Sequence, residues 1–294
     1  RTLLFATDNE LWIGTESGAY IYNLRTGKYT HLRSSEYDPY SLSDNAIYSF
    51  CKDREDGIWI GSYFGGVNYY PRSYTHFEKY YPKGEENSLH GKRVREFCRD
   101  NYGVLWIGTE DGGLNRFNLN TKEFSFFAPS AGFTNIHGLC LVDDKLWVGT
   151  FSKGLKIIDT RTGTVLKTYQ KNSSPRSLID NSIFAICRTA TGDIYLGTMF
   201  GLVKYNKQSD DFDRIPELNG KFVYDIKEDS GGNIWLATYA NGAYCYNVND
   251  RKWKNYVHDE KDTTSLSYNK VSSIFEDSYH RIWLTTQGGG FCLF

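Results

Sequence analysis

Few residues in this chain have the types and spacing that catalysis or metal binding demands. The six histidines, His31, His76, His90, His137, His258 and His280, scatter without a common step. A general acid and base must converge on one face, and only His137 with Glu110 or Asp111 can be placed that way. There is no Gly-x-Ser-x-Gly elbow, no phosphate-cradling loop, no Cys-x-x-Cys and no paired-histidine spacing. The catalytic, metal and cofactor sets are therefore each read as none. Cys51, Cys98 and Cys187 lie eight residues before a strand aromatic and Cys140 seven, while Cys245 and Cys292 share a different repeated position. Equivalent positions on successive repeat units sit too far apart for the roughly 4.4–6.8 Å Cα separation of a disulfide. The cysteines read as buried small hydrophobes.

The elements that must position any site come from a repeat. One phrase recurs seven times, at Leu11-Trp12-Ile13-Gly14-Thr15, Ile58-Trp59-Ile60-Gly61-Ser62, Leu105-Trp106-Ile107-Gly108-Thr109, Leu146-Trp147-Val148-Gly149-Thr150, Ile194-Tyr195-Leu196-Gly197-Thr198, Ile234-Trp235-Leu236-Ala237-Thr238 and Ile282-Trp283-Leu284-Thr285-Thr286. Its aromatic recurs in steps of 47, 47, 41, 48, 40 and 48, the period of about 40–50 residues that four-stranded propeller blades show. Each unit parses into four short strands joined by Gly, Asp and Asn turns, with no sustained 3.6-residue period. The second unit reads as Ala46 to Phe50, Ile58 to Ser62, Val67 to Tyr70 and His76 to Tyr80. One such sheet cannot bury both faces, but seven stacked radially can. The expectation is an all-β, seven-bladed β-propeller of four-stranded antiparallel blades forming a single domain over 1–294. The six Trp and one Tyr of the phrase would pack between blades. The last blade lacks its outer strand, because the sequence stops after Gly290 to Phe294.

Composition agrees with a pleated fold. The chain carries 23 Tyr, 18 Phe and 7 Trp against a single Met, and aromatic residues favour half-buried strands. Lys and Arg number 34 against 35 Asp and Glu, so no global field points to nucleic acid or an anionic membrane. No run of about 18 apolar residues would insert this stretch in a bilayer. The start at Arg1-Thr2-Leu3, in mid-pattern, suggests a piece of a longer or processed chain.

With the repeat written out, Leu105 to Phe117 (Leu-Trp-Ile-Gly-Thr-Glu-Asp-Gly-Gly-Leu-Asn-Arg-Phe) and Ser62 to Tyr70 resemble two-component-regulator propeller repeats. These build the extracytoplasmic sensor of hybrid two-component histidine kinases in Bacteroidetes, and this chain looks more like the second propeller of such a sensor than the first. The resemblance implies a periplasmic part of an inner-membrane protein. Its neighbours in the same chain would be a second propeller and an immunoglobulin-like domain, with a homodimer among the assemblies the family allows. It implies an oligosaccharide ligand and regulation of polysaccharide utilisation. Kinase activity would reside in cytoplasmic domains absent here, so this stretch is not itself an enzyme. The alternative is a structural spacer or dimerisation propeller, with the ligand bound elsewhere; a glycan lyase or hydrolase ranks behind both.

The meander brings the loops between second and third strands to the same side as the loops between blades. That side carries Tyr63, Phe64, Glu110, Asp111, Phe151, Phe200, Tyr239 and Asn241, with Lys92, Arg93 and His137 from the longer loops. Rings stack on apolar sugar faces while polar groups read hydroxyls, and Lys92-Arg93-Arg95 would attract a sulfate or uronate. Asn45, Asn181 and Asn269 recur before an inner strand, as turn-formers do.

Overall fold

The computed structural model describes residues 1–72, 78–84, 87–127 and 132–294. Its strands form seven antiparallel sheets, each a meander in which sequence neighbours pair. Blade one comprises Thr2–Thr7, Glu10–Thr15, Gly18–Asn23 and Tyr29–Leu32; blade two comprises Ile47–Lys52, Ile58–Ser62 and Val67–Tyr70. Blade three runs Val94–Arg99, Val104–Thr109, Gly113–Asn118 and Phe124–Phe127; blade four runs Ile136–Val142, Lys145–Thr150, Leu155–Asp159 and Val165–Tyr169. Blade five holds Ile183–Arg188, Ile194–Thr198, Gly201–Asn206 and Asp211–Arg214; blade six holds Val223–Glu228, Ile234–Thr238, Ala243–Asn247 and Lys252–Tyr256. Blade seven has three strands, Val271–Glu276, Ile282–Thr286 and Gly290–Leu293. The expected fourth strand of blade two falls partly on 73–77, outside the described residues, as does His76; Glu78, Lys79 and Tyr80 are not in a strand. No helix among the described residues is long and apolar enough to cross a membrane.

The strands group into two compact units, residues 1–85 with blades one and two, and residues 86–294 with blades three to seven. Within each, the recurring phrase explains the packing residue by residue. The aromatic covers the next blade: Trp12 lies edge-on to Phe50 and Tyr70 at 5.7 and 4.9 Å, and Trp147 meets Tyr205 at 5.0 Å. The glycine leaves room for that blade's branched side chain. A Cβ on Gly108 would lie 2.6 Å from Ile136 Cγ2, and one on Gly149 would lie 2.7 Å from Ile183 Cγ2, contacts real structures do not tolerate. The terminal Thr caps the following turn, with Oγ1 donating to the carbonyls of Gly113 (3.0 Å), Gly154 (2.9 Å) and Gly201 (2.9 Å).

The turn between first and second strands is held by an acid six residues before the tryptophan. Asp100 Oδ1 accepts the N–H groups of Tyr102 and Val104, both at 2.9 Å, and its Oδ2 accepts Trp106 Nε1–H at 2.9 Å. Asp53, Asp229 and Asp277 repeat the bond to Trp59, Trp235 and Trp283. This satisfies the one polar atom of a ring that is otherwise fully buried in the case of Trp106.

Two aromatics depart from the expected packing between blades. Trp59 is 45 % exposed and lies tilted against Tyr69 of its own sheet at 4.7 Å. Trp283 is half-buried and meets Phe291 of its own sheet at 5.7 Å. Each belongs to the last sheet of its unit, which has no successor within that unit. The cysteines also depart from expectation: all six are free thiols, but only Cys245 is buried and Cys51 is exposed. Burial pushes the thiols of Cys98, Cys140 and Cys187 up to about 11.

Candidate ligand-binding site

Six inner strands share a register break at their second residue. Two residues of the inner strand oppose one of its partner, so Tyr48, Arg95, His137, Phe184, Tyr224 and Ser272 are β-bulge residues in blades two to seven. A bulge re-aims a side chain out of the pleat's alternation. A second backbone feature repeats beside each one. The residue following the phrase donates its N–H to the carbonyl two residues before the bulge. The pairs are Tyr63 to Ala46, Glu110 to Arg93, Phe151 to Asn135, Met199 to Ser182, Tyr239 to Phe222 and Gln287 to Lys270, at 2.8–3.2 Å. Every blade from two to seven therefore presents one bulge side chain next to one loop side chain on a common backbone frame.

In the 86–294 unit these side chains converge. Arg95 donates from Nη1 to Tyr224 Oη at 3.1 Å, and its Nε lies 3.5 Å from Glu110 Oε1. Phe184 packs on His137 (4.7 Å), Phe222 (4.4 Å) and Tyr224 (5.8 Å). Phe151 reaches His137 at 5.8 Å, and Tyr239 stacks on Phe222 at 5.3 Å with Lys270 4.0 Å over its ring. So Glu110, His137, Phe151 and Tyr239 from the sequence reading are linked in one cluster. Phe184, Phe222, Tyr224 and Lys270 complete it. Beneath the Arg95–Tyr224 bond, the next residues of the same strands are Glu96 and Asp225. Asp225 accepts from Ile274 N–H at 2.9 Å and Ser273 Oγ at 3.1 Å. Burial, followed by the negative charge of Asp225, pushes Glu96 up to about 7, and burial also raises Asp225.

The remaining site residues have other surroundings. Asp111 is a loop brace: its Oδ1 accepts the N–H groups of Lys92 (2.9 Å) and Arg93 (3.1 Å), which hold its carboxyl below the usual range. Arg93 lies 3.8 Å from Glu110, so Glu110 offsets the positive charge expected of Lys92-Arg93-Arg95. Asn241 donates its N–H to Thr238 Oγ1 at 3.0 Å. The Phe200 ring is 51 % exposed. Asn45, Asn181 and Asn269 fix the loops between blades through Oδ1, which accepts Ser34, Lys171 and His258 N–H at 2.7–2.8 Å.

The 1–85 unit carries its own aromatic patch. Tyr63 stacks on the bulge residue Tyr48 at 5.0 Å and meets Phe64 at 4.2 Å. Asp44 accepts Phe64 N–H at 2.9 Å, leaving the Phe64 ring 86 % exposed. Among the described residues no group of three or more His, Cys, Asp and Glu comes together to hold a metal ion.

Known proteins share this arrangement of repeats. The two-component regulator propeller family matches residues 41–64, 88–111, 217–240 and 265–288, in blades two, three, six and seven. A curated relative, Histidine kinase P4 of Formosa agariphila, is 27 % identical over 151 residues, which are 51 % of this chain and 8 % of that protein. Two solved relatives are extracellular domains assigned to hybrid two-component systems of B. thetaiotaomicron. One is 22 % identical with a TM-score of 0.62, over 99 % of this chain and 39 % of its own. The other is 21 % identical with a TM-score of 0.60, over 99 % and 37 %. PorZ, a surface component of the type-IX secretion system of Porphyromonas gingivalis, is 16 % identical with a TM-score of 0.60, over 100 % and 46 %. The chain thus spans about two fifths of the length of these solved relatives. Four of the seven repeats match that family's model, and the other three sheets carry the same phrase; the likeness to the solved structures is one of fold, a β-propeller of meander sheets.

Proposed function

We propose that the chain is an extracytoplasmic sensor propeller of a two-component system and binds an oligosaccharide at the bulge cluster of the 86–294 unit. Residues 1–294 would act as one binding domain without a catalytic step of its own, signalling to kinase domains elsewhere in the parent protein. The observation that carries this reading is the convergence of His137, Phe151, Phe184, Tyr224 and Tyr239 with Arg95 and Glu110. Ring faces beside a few fixed polar groups are what a hydroxyl-rich ligand with apolar faces requires. Such a ligand shifts a signalling equilibrium only by its differential affinity for the two states. Calorimetry against a panel of neutral and acidic oligosaccharides tests it. Binding by the wild type, weakened at least tenfold (about 1.4 kcal/mol) by Tyr239→Ala, is the expected result; no binding across the panel overturns it.

The exposed Tyr63–Phe64 pair favours a second reading, in which the propeller packs against protein as a spacer or dimerisation module. Light scattering of the wild type and Phe64→Ala distinguishes the two: a dimer lost in the variant supports the second reading.

A further inference from the structure

Five of the six tryptophans in the recurring phrase give their indole N–H to a carboxylate, and the sixth does not. Trp12 donates to Glu10 Oε1 at 2.8 Å, and Trp59, Trp106, Trp235 and Trp283 donate to the aspartates six residues before them. Trp147 has no such acid. Blade four turns in two residues, with Val142 paired to Lys145, so the sixth residue back is Leu141, inside the first strand. The two acids of that short turn are held elsewhere, Asp143 by Arg188 at 3.1 Å and Asp144 by Arg161 at 3.3 Å. The Trp147 side chain is 5 % exposed, and its Nε1 has no acceptor among the described residues. The fully buried side-chain atoms without a partner there are Asn68 Nδ2, His90 Nε2 and His137 Nδ1, so the Trp147 nitrogen keeps surface that solvent reaches.

Trp147 belongs to the wall of a cleft of about 910 Å³ between blades four and five, within the range of about 300–1,000 Å³ that small-ligand sites span. Ile157, Leu166 and Tyr205 share that wall, with Trp147 edge-on to Tyr205 at 5.0 Å. The acids of the rim are already paired: Asp143 with Arg188, Asp193 with Lys204, Asp210 with Lys167 and Asp213 with Arg176. Lys145 and Lys207 line the same cleft and have no ion pair among the described residues. Lys145 stands two residues before Trp147, on the same face of its strand, and its charge acts with that of Lys167 on the Tyr205 hydroxyl. Blade seven shows what this pair of positions does with an acid. Arg281 stands two residues before Trp283, and both donate to Asp277 Oδ2, at 2.7 and 2.8 Å. Lys145 and Trp147 repeat that pair of donors with no aspartate between them.

We propose that the cleft between blades four and five is a ligand site for a carboxylate, which Trp147 Nε1–H and Lys145 hold as Trp283 and Arg281 hold Asp277. The site lies at the turn end of the strands, opposite the bulges, and does not depend on the saccharide reading of the bulge cluster. An indole N–H only donates, and a charged acceptor beside an ammonium group makes a stronger bond than a neutral one. The pair therefore selects a carboxylate over a hydroxyl. The cleft leaves room for the body of the ligand along Trp147 and Tyr205, which a uronic-acid sugar or an organic acid would each supply.

The test uses the whole chain, isotope-labelled so that the indole N–H signals of its seven tryptophans are assigned by sequential correlation. Trigalacturonate, glutarate, mannotriose and sodium chloride of matched ionic strength are titrated in turn. A saturable shift of the Trp147 signal with trigalacturonate, glutarate or both, with Trp106 unmoved and no response to mannotriose or chloride, supports the proposal. A response to both acids shows that the carboxylate alone suffices; a response to one assigns the source as sugar or organic acid. Lys145→Gln, at an exposed position, is expected to weaken binding at least tenfold. Lys145→Glu repeats the spacing of Glu10 and Trp12, and is expected to shift the Trp147 signal without ligand and to abolish binding. No shift with either acid, an equal shift with mannotriose or chloride, or unchanged affinity in Lys145→Gln overturns the proposal. The signal is local to Trp147, so a saccharide bound at the bulge cluster does not produce it, and each reading can fail without the other.

Discussion

The two ends of the inner strands repeat in opposite ways. At the turn into the second strand the same side chains recur in four blades: Asp53 holds Trp59, Asp100 holds Trp106, Asp229 holds Trp235 and Asp277 holds Trp283, at 2.8–3.0 Å. At the other end the backbone is constant and the side chains differ. The bulge and its neighbouring N–H to carbonyl bond recur in six blades, while the residues on that frame are Tyr, Arg, His, Phe, Tyr and Ser. The first end contributes stability through buried rings, with an aspartate meeting the indole N–H in four blades. The second end is where the proposed binding cluster lies, on side chains that the frame holds but does not choose.

Three measurements would break or sharpen that contrast. The largest effect belongs to the turn end. Trp106→Ala removes a fully buried ring and is expected to destabilise the fold by about 3–5 kcal/mol, read from the urea midpoint. A loss below about 1 kcal/mol would end the claim that this end carries stability. Next comes Glu96, below the bulge face. Its folded-state pKa is raised to about 7 from 4.5, so its favourable contribution is full below pH 4.5 and is lost as pH rises through 7. Glu96→Gln, which keeps the neutral shape, should match the wild type at pH 4 and exceed it by about 3 kcal/mol at pH 8. Equal stability of the two proteins at pH 8 would show that the acid is better solvated than its surroundings indicate. The smallest effect is expected at Phe200, an exposed ring in the loop just after the frame residue Met199. Phe200→Ala should change stability by no more than about 0.5 kcal/mol, and a larger loss would mean the loop side chains also hold the fold.

This contrast also decides what the sequence made legible. The blade phrase was readable because its chemistry resides in side chains: Trp12, Gly108 and Thr150 each have one task that few other residues perform. The loop residues Tyr63, Glu110, Phe151 and Tyr239 were readable as variable letters at a fixed repeat position. The bulges were not. A bulge is a register event between two strands, and Arg95, Phe184 and Tyr224 each suit an ordinary pleat. The partners that complete the cluster, Phe184, Phe222 and Tyr224, were therefore hidden among residues that look like core. The bond from each turn aspartate to the tryptophan six residues on leaves a regular spacing, but the spacing does not announce the bond, because Asp already has a sufficient role in the turn itself. The exposure of Trp59 and Trp283 was illegible for another reason: a repeat gives each unit the same letters, whether or not another sheet follows it.

The frame of bulge and main-chain bond has a consequence for how such a protein changes over generations. Because the repeated bond runs between main-chain atoms, one codon can alter the bulge side chain of one blade while that bond stays in place. The bulge positions of the 86–294 unit touch one another, Arg95 with Tyr224 and Phe184 with both His137 and Tyr224, so a change at one is felt at its neighbours. A lineage with this frame can change its exposed face stepwise, each step keeping the main-chain bond of its blade.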